Sequence, residues 1–105
     1  MIARTWRGLV ATARADEYMK FIEQTGLSEY AETAGNLGAH LLRRDLGDGR
    51  TEVVTLSFWE SMDAVRLFAG DDPEQAVLYP GDEDFLLDTD TPIAHFDVPW
   101  SSSAV

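Results

Sequence analysis

Two histidines, several arginines and a set of aromatic residues are the side chains of this 105-residue sequence that could do chemistry. His40 and His95 are the only imidazoles, and imidazole is the commonest general base near neutral pH. Arginines on the predicted strands and helices could stabilise a negative charge that develops on a bound molecule: Arg4, Arg7, Arg43 and Arg66. Flat apolar walls could come from aromatic residues in the same elements: Trp6, Tyr30, Phe58, Trp59, Phe68 and Tyr79.

Each of these side chains also has a structural interpretation. His95 lies in phase with Ile93 and Asp97 on a predicted strand, where a neutral, hydrogen-bonded core or interface histidine is the commoner interpretation of the pattern. Large aromatic residues at strand and helix spacing commonly form core. Arg4 and Arg7 fall on opposite faces of one strand, because alternate strand residues point to opposite sides, so at most one reaches a given cavity.

The composition excludes several kinds of site. The chain has no cysteine, which rules out disulfides, thiol catalysis and cysteine-based metal centres. The acidic run 82–88 places apolar residues where a calcium loop needs oxygen ligands, so no metal site is predicted. We expect a protein without a metal or other cofactor.

The charge of the chain is strongly negative and unevenly placed. Asp and Glu number 19 against 8 Lys and Arg, a net charge of −11, and the second part, 60–105, holds 11 acidic residues and one basic residue, Arg66. Such a field repels nucleic acid and anionic membrane surfaces and favours a neutral, aromatic small molecule as ligand. We expect the acidic clusters at 71–74 and 82–84 to face water. The chain has no membrane-length apolar run, and we predict a cytoplasmic location.

Hydrophobic periodicity and turn residues predict the secondary structure. Alternating patterns predict four strands: 2–10, 38–46, 51–60 and 91–98. Glycines 47 and 49 predict a hairpin between the second and third strands. Helices are predicted from residue 13 with Thr12 as cap, kinked or ended at 25–27 and resumed at 28–34, then from Ser61 to Gly70, and over 73–78.

The element order is therefore β-α-β-β-α-β, a ferredoxin-like α+β fold with a four-stranded antiparallel sheet and helices on one face. It would occupy residues 1–100 as one domain, with 101–105 as a disordered tail. In the third strand both the set Val54, Leu56 and Phe58 and the opposite set carry apolar residues. Because helices cover only one face, we predict a homodimer that packs sheet against sheet.

The third strand and the segment after it carry a family resemblance. Residues 53–61 read VVTLSFWES and residues 62–68 read MDAVRLF, so a strand ends in tryptophan and an amphipathic helix follows. This segment, with the strand order over about 2–98, resembles the antibiotic biosynthesis monooxygenase superfamily of dimeric α/β barrels, which also contains heme-degrading monooxygenases.

The resemblance implies a site in a cavity between sheet and helices. Its quinone-forming members oxidise a phenol with O₂ and no cofactor, using a strand Asn, the strand-end Trp, a helix Tyr and a later Arg. Of these this sequence keeps the Trp, as Trp59, and has Thr55, Val65 and Tyr79 at the other positions. We therefore expect Trp59, His95, His40 and Tyr79 as catalytic candidates. The expected substrate-binding residues are Thr55, Trp6, Arg66, Phe68 and Arg43.

The implied function is a cofactor-independent monooxygenase that oxidises an aromatic or polyketide-like molecule with O₂. Two alternatives remain open, a non-catalytic small-molecule-binding or structural dimer and a non-oxidative polyketide cyclase or isomerase. Heme degradation is disfavoured. Where the heme-degrading members have a first-strand Asn and a helix Trp, this sequence has Thr5 and Phe68. The position of their iron-ligating histidine falls near Leu78 or Tyr79.

Overall fold

The computed structural model describes residues 1–88 and 90–102, and its elements follow the predicted order. The strands are β1 (Ile2–Ala11), β2 (Asn36–Asp45), β3 (Arg50–Trp59) and β4 (Ile93–Asp97). The helices are α1 (Ala15–Ile22), α2 (Ser28–Glu32), α3 (Met62–Ala69) and α4 (Asp82–Phe85). A 3₁₀ turn, Thr12–Arg14, precedes α1, and a π-helical turn, Glu23–Leu27, joins α1 to α2. The strands form one antiparallel sheet in the order β2-β3-β1-β4, which confirms the ferredoxin-like fold.

Two turns form as the sequence predicted. Gly47 and Gly49 take φ angles of 83° and 85° in the β2–β3 hairpin, in the left-handed region that glycine enters without strain. Ser61 caps α3 by accepting a hydrogen bond from the Ala64 amide at 3.2 Å. The hairpin fixes the β2–β3 register, and the cap fixes where the chain leaves the sheet after Trp59.

Two helix predictions are wrong. Thr12 does not cap a helix; its hydroxyl lies 2.9 Å from that of Thr51 on β3. Over 73–78 no helix forms, and the segment makes one turn, with the Gln75 amide 3.2 Å from the Asp72 carbonyl. The carbonyls of Pro73 and Gln75 instead accept hydrogen bonds from a buried arginine of β1, described below.

The helices pack on one face of the sheet. One cluster of buried side chains centres on Val10, Tyr18 and Val53, and a second contains Tyr30, Trp59 and Phe68. Gly8 makes room for the Trp6 indole on this face, because a Cβ at position 8 would lie 2.7 Å from the ring. The opposite face, which we call the open face, carries Leu42, Val54, Leu56 and Phe58. Both faces thus carry apolar residues, as predicted.

Two other expectations concern the tail at 101–105 and membrane-spanning segments. The last three residues of the predicted tail, 103–105, lie outside the described residues. Among the helices that are described, none has the length and apolar character needed to cross a membrane.

Candidate active site

A small cavity lies between the sheet and the α1–α2 segment, closed from above by the segment 70–81. Its wall is lined by residues of β1, α1, the π-helical turn, α2, β3, α3 and the 70–81 segment, among them Arg4, Trp6, Tyr18, Tyr30, Thr55, Phe68, Val77, Tyr79 and Asp82. Counting the mouth, the space between these atoms totals about 370 Å³, but only about 20 Å³ is wide enough for the centre of a water molecule. A space of that size admits water and excludes an aromatic ring.

Arg4 places a cation in the wall of this cavity. Its side chain is 1% exposed, because position 4 of β1 points under the helices and the strand register pairs it with Ser57 and His95. The guanidinium Nη1 donates to the Pro73 carbonyl at 2.6 Å, and Nη2 donates to the Gln75 carbonyl at 3.4 Å. The guanidinium lies 5.9 Å from the centre of the Phe68 ring.

The cation has no carboxylate partner among the described residues. Its contacts are two carbonyls and an imidazole, and its Nε–H is buried without a hydrogen-bond acceptor. A buried charge with spare donors is costly unless a group of opposite charge meets it. Arg4 is therefore the group of this cavity best suited to stabilise an anion formed on a bound molecule.

His95 lies next to Arg4 on the neighbouring strand. Its Nε2 is 2.9 Å from Arg4 Nη1, and its Nδ1 is 3.3 Å from Glu74 Oε1, although that second pair is not aligned as a hydrogen bond. Burial, and then the charge of Arg4, lower the pKa of His95 below its ordinary value of 6.5, against a smaller opposing effect of Glu74. His95 is therefore neutral at pH 7 and able to take up a proton.

The aromatic wall is made by Tyr30 and Phe68, whose ring centres are 4.3 Å apart. The Tyr30 hydroxyl lies 3.2 Å from the Thr55 hydroxyl, so the two groups form a hydrogen bond in the cavity wall. Trp59 is fully buried, contacts both rings and donates its indole N–H to Ser57 at 2.9 Å. Trp59 therefore supports the wall from behind and is not among the residues that line the cavity.

The predicted residue Tyr79 closes the mouth. Its hydroxyl donates to Glu29 Oε2 at 2.5 Å, which ties the 70–81 segment to α2. Burial raises the pKa of Tyr79 well above its ordinary value of 10, and the hydrogen bond to Glu29 raises it further. Tyr79 therefore stays protonated at neutral pH and acts as a hydrogen-bond donor, not as a phenolate base.

Asp82 differs from its acidic neighbours. Glu83 and Asp84 are exposed, as the sequence predicted, but Asp82 is 5% exposed and reaches the cavity wall. Its carboxylate accepts the Tyr18 hydroxyl at 2.9 Å and the Tyr79 amide at 2.6 Å. The expectation that the whole 82–84 cluster faces water is therefore wrong for Asp82, whose two donors compensate its burial.

Three predicted site residues lie away from the cavity. His40 is exposed on the open face, because the register pairs it with Leu56 and strand alternation turns both from the helices. Arg43 forms ion pairs with Asp16 and Asp45 at the surface. Arg66 faces solvent on α3 and pairs with Asp63 one turn earlier.

The structure thus brings together Trp6, Thr55, Phe68 and Tyr79 in the wall, with His95 behind Arg4. Sequence reasoning did not choose Arg4 over the other arginines, and it missed Tyr18 and Asp82. The strand alternation offered a signal for Arg4, since position 4 is in phase with Trp6 and Val10 on β1. Nothing in the spacing distinguishes Asp82 from Glu83.

The side chains around the cavity do not fit a heme group. A heme iron needs a protein ligand with a free lone pair. The Nε2 of His95 lies 2.9 Å from the cationic Arg4 Nη1, which leaves no space for an iron ion between them, and His40 lies on the other side of the sheet. Within residues 1–88 and 90–102, His, Asp and Glu side chains form no group of three or more that could hold a metal ion.

Comparison with known proteins identifies the fold. No family model matches the sequence, and no curated protein matches it. An antibiotic biosynthesis monooxygenase structure superposes with a TM-score of 0.66 at 14% identity, covering 93% of this chain and 98% of that chain. SnoaB, a cofactor-independent oxygenase from Streptomyces nogalater, gives 0.63 at 14%, covering 96% of each chain.

A third similar structure is that of a heme-degrading protein. A heme-degrading protein from Mycobacterium tuberculosis gives a TM-score of 0.57 at 21% identity and covers 98% of this chain and 97% of that chain. The overlap extends over nearly the whole length in every case, while the identities are too low to transfer an activity. The chain therefore has the fold of the antibiotic biosynthesis monooxygenases, as the resemblance in its third strand predicted.

Proposed function

We propose that the protein is a cofactor-independent oxygenase that oxidises a neutral aromatic or polyketide-like molecule with O₂. The observation that carries the proposal is the guanidinium of Arg4, buried in an aromatic wall with no carboxylate partner among the described residues. Oxygenation without a cofactor requires a substrate that becomes an electron-rich anion. A buried cation beside flat rings suits such an anion better than any other feature of the cavity.

The proposed reaction is balanced by the substrate and O₂ alone. A methylene group activated by a phenol or ketone loses one proton, and the resulting anion passes electrons to O₂ and forms a carbon–oxygen bond. The peroxide that results takes up a proton and eliminates water, so CH₂ and O₂ become C=O and H₂O. The carbon is oxidised by four electrons and O₂ is reduced by four.

The protein's part is to remove the proton and to hold the anion. In the proposal Arg4 lowers the cost of forming the anion, because its buried charge acts where the effective dielectric constant is lower than in bulk water. His95, neutral and directly behind Arg4, accepts the proton once outward movement of the 70–81 segment has given the substrate access to its Nε2. Tyr30 and Phe68 supply the surfaces on which a planar substrate packs.

Substrate entry requires the cavity to enlarge. The 70–81 segment is held over the cavity by Tyr79 on Glu29 and by Arg4 on the Pro73 carbonyl. These polar contacts can exchange with water or with a substrate, whereas the sheet below is held by the backbone hydrogen bonds between its strands. We therefore propose that this segment moves outward to admit the substrate and returns over it.

The test is a spectrophotometric screen of anthrone-type and naphthol-type phenols under air and under nitrogen. We expect absorbance changes in air that stop under nitrogen, with consumption of one O₂ per carbonyl formed. Turnover that is equal under nitrogen would replace the proposal by a cyclase or isomerase. Binding without turnover in either gas would replace it by a small-molecule-binding protein.

We also propose that the working unit is a homodimer in which two open faces meet. Leu42 on this face is 47% exposed, and Val54, Leu56 and Phe58 are half-buried beside it. Glu52 bridges Arg7 and Arg44 on the same face, and these two hydrogen bonds, Arg44 first, hold the pKa of Glu52 below its ordinary value. An apolar patch bordered by ion-paired charges suits a second copy of the same surface.

Leu42→Asp tests this interface. We expect a dimer for the unmodified protein at micromolar concentration and a dissociation constant about 30-fold weaker for L42D, because a carboxylate would be desolvated in the contact. Sedimentation velocity over a concentration series measures the change. Leu67→Asp is the matched control, since Leu67 is 70% exposed on α3, away from the open face. A monomer in the unmodified protein, or equal constants for L42D and L67D, would refute the interface.

A further inference from the structure

The two nitrogens of His95 have different charged neighbours. Nε2 faces Arg4 Nη1 at 2.9 Å, and Nδ1 faces Glu74 Oε1 at 3.3 Å. Arginine has donors and no acceptor, so the contact with Arg4 requires a lone pair on Nε2. The proton of the neutral imidazole therefore resides on Nδ1, the nitrogen nearer to the Glu74 carboxylate.

Glu74 reaches this place because Arg4 holds the backbone on both sides of it. The Pro73 carbonyl lies 2.6 Å from Nη1 and the Gln75 carbonyl 3.4 Å from Nη2. The backbone of residue 74 is thus fixed, while its carboxylate remains 70% exposed. Its Oε1 lies 3.3 Å from Nδ1, within ion-pair distance of the imidazolium that forms when His95 is protonated.

We propose that Glu74 is the positioning residue of His95, which keeps the proton on Nδ1 and stabilises the imidazolium that forms when Nε2 takes up the substrate's proton. The inference rests on the proposed function for the origin of that proton. Glu74 itself touches neither the cavity wall nor, in this arrangement, the substrate.

The arrangement couples proton transfer to stabilisation of the anion. Nε2 can take up the proton only when its hydrogen bond from Arg4 breaks, and the Nη1–H released in that step can donate to the oxygen of the new anion. The positive charge on His95 then lies between Arg4 and Glu74, where the carboxylate offsets part of the repulsion. The same proton later returns from Nε2 to the peroxide, and His95 regains its starting tautomer.

The charged groups that act on His95 have opposite effects. Arg4, from β1, lowers the pKa of the imidazole, in addition to the larger effect of burial, and Glu74, from the 70–81 segment, raises it. Removal of the carboxylate charge must therefore make His95 harder to protonate. A glutamate whose carboxylate lay away from the ring would leave the titration of His95 nearly unchanged.

The experiment is ¹⁵N-edited NMR of the imidazole side chains in the ligand-free protein, with the exposed His40 as internal reference. We expect His95 to carry its proton on Nδ1 at neutral pH. In Glu74→Gln its titration midpoint should move to lower pH. Asp71→Asn is the matched control, because Asp71 is an exposed acid of the same segment with no contact to His95; it should leave the midpoint unchanged.

Kinetics separate this inference from the proposed function. With a substrate found in the screen, E74Q should lower kcat about tenfold with little change in KM, since only proton transfer is affected. A proton on Nε2 in the unmodified protein, or a midpoint in E74Q equal to that of the unmodified protein, would overturn the positioning role even if turnover is found. The expected NMR results without turnover of any compound would uphold the positioning and refute the oxygenase.

Discussion

Arg4→Met is expected to lower the oxygen-dependent kcat about 100- to 1,000-fold, the usual loss when one preorganised donor to a developing oxyanion is removed. Arg4 is the cation of the cavity wall, and it is 1% exposed, so water cannot replace it without enlarging the site. Methionine keeps the length and apolar character of the stem and removes the charge and the donors. Steady-state rates in air, with a compound that the screen identifies, give the measurement.

Two further variants separate catalysis from folding. Arg4→Lys keeps the charge but loses the planar fork that reaches the Pro73 and Gln75 carbonyls, so its kcat should lie between those of R4M and the unmodified protein. Arg50→Met is the matched control, because Arg50 is exposed in the hairpin and pairs with Asp48. R50M should retain full activity.

Arg4→Met should also change the titration of His95, which can be measured without any turnover. The charge of Arg4 lowers the pKa of His95, so in R4M the imidazole should titrate at higher pH than in the unmodified protein. A folded R4M with kcat within about threefold of the unmodified protein would contradict the role of Arg4. A folded R4M in which the His95 midpoint falls or stays fixed would contradict the contact between the two side chains.

The sheet and its main turns could be predicted from the sequence because local rules decide them. Alternation of buried and open positions sets the strands, and Gly47 and Gly49 provide the positive φ angles of the hairpin. Ser61 caps α3 in the predicted manner. Each of these features depends on residues that are close together in the chain, so tertiary contacts did not override them.

The 70–81 segment could not be predicted for the opposite reason. The sequence Asp72-Pro73-Glu74-Gln75 has the residues of a helix start, and a helix would use its carbonyls internally. In the fold the guanidinium of Arg4 on β1, about seventy residues earlier, donates hydrogen bonds to the Pro73 and Gln75 carbonyls. That partner is visible only when the sheet register is known.

Among the site residues, too, the sequence predicted those features that depend on local patterns and not those that depend on distant contacts. Strand alternation separates His40 from Arg4, because positions 40 and 4 face opposite sides of the sheet. Alternation alone does not say which side the helices cover, and it does not reveal that Arg4, His95 and Glu74 meet. The family pattern indicated Trp59, but a match to a motif does not specify whether the side chain lines a cavity or supports its wall.

Trp59 should therefore be essential for stability and dispensable for the reaction. The indole is fully buried between Tyr30 and Phe68 and donates its N–H to Ser57. Trp59→Ala is expected to reduce the free energy of unfolding by about 3–5 kcal/mol, which is the cost of a large aromatic deletion in a core. That loss approaches the whole stability of a small domain, and urea unfolding followed by circular dichroism measures it.

Trp59→Phe separates the two roles, because it keeps an aromatic ring in the core and removes the indole N–H. We expect a loss of about 1–2 kcal/mol from the missing hydrogen bond and the smaller ring, with kcat within about threefold of the unmodified protein. Trp100→Ala is the control, since Trp100 is 78% exposed and its removal should not change unfolding. A stable W59F whose kcat falls about 100-fold would mean that Trp59 acts on the substrate, and that the cavity opens past Tyr30 and Phe68 to reach it.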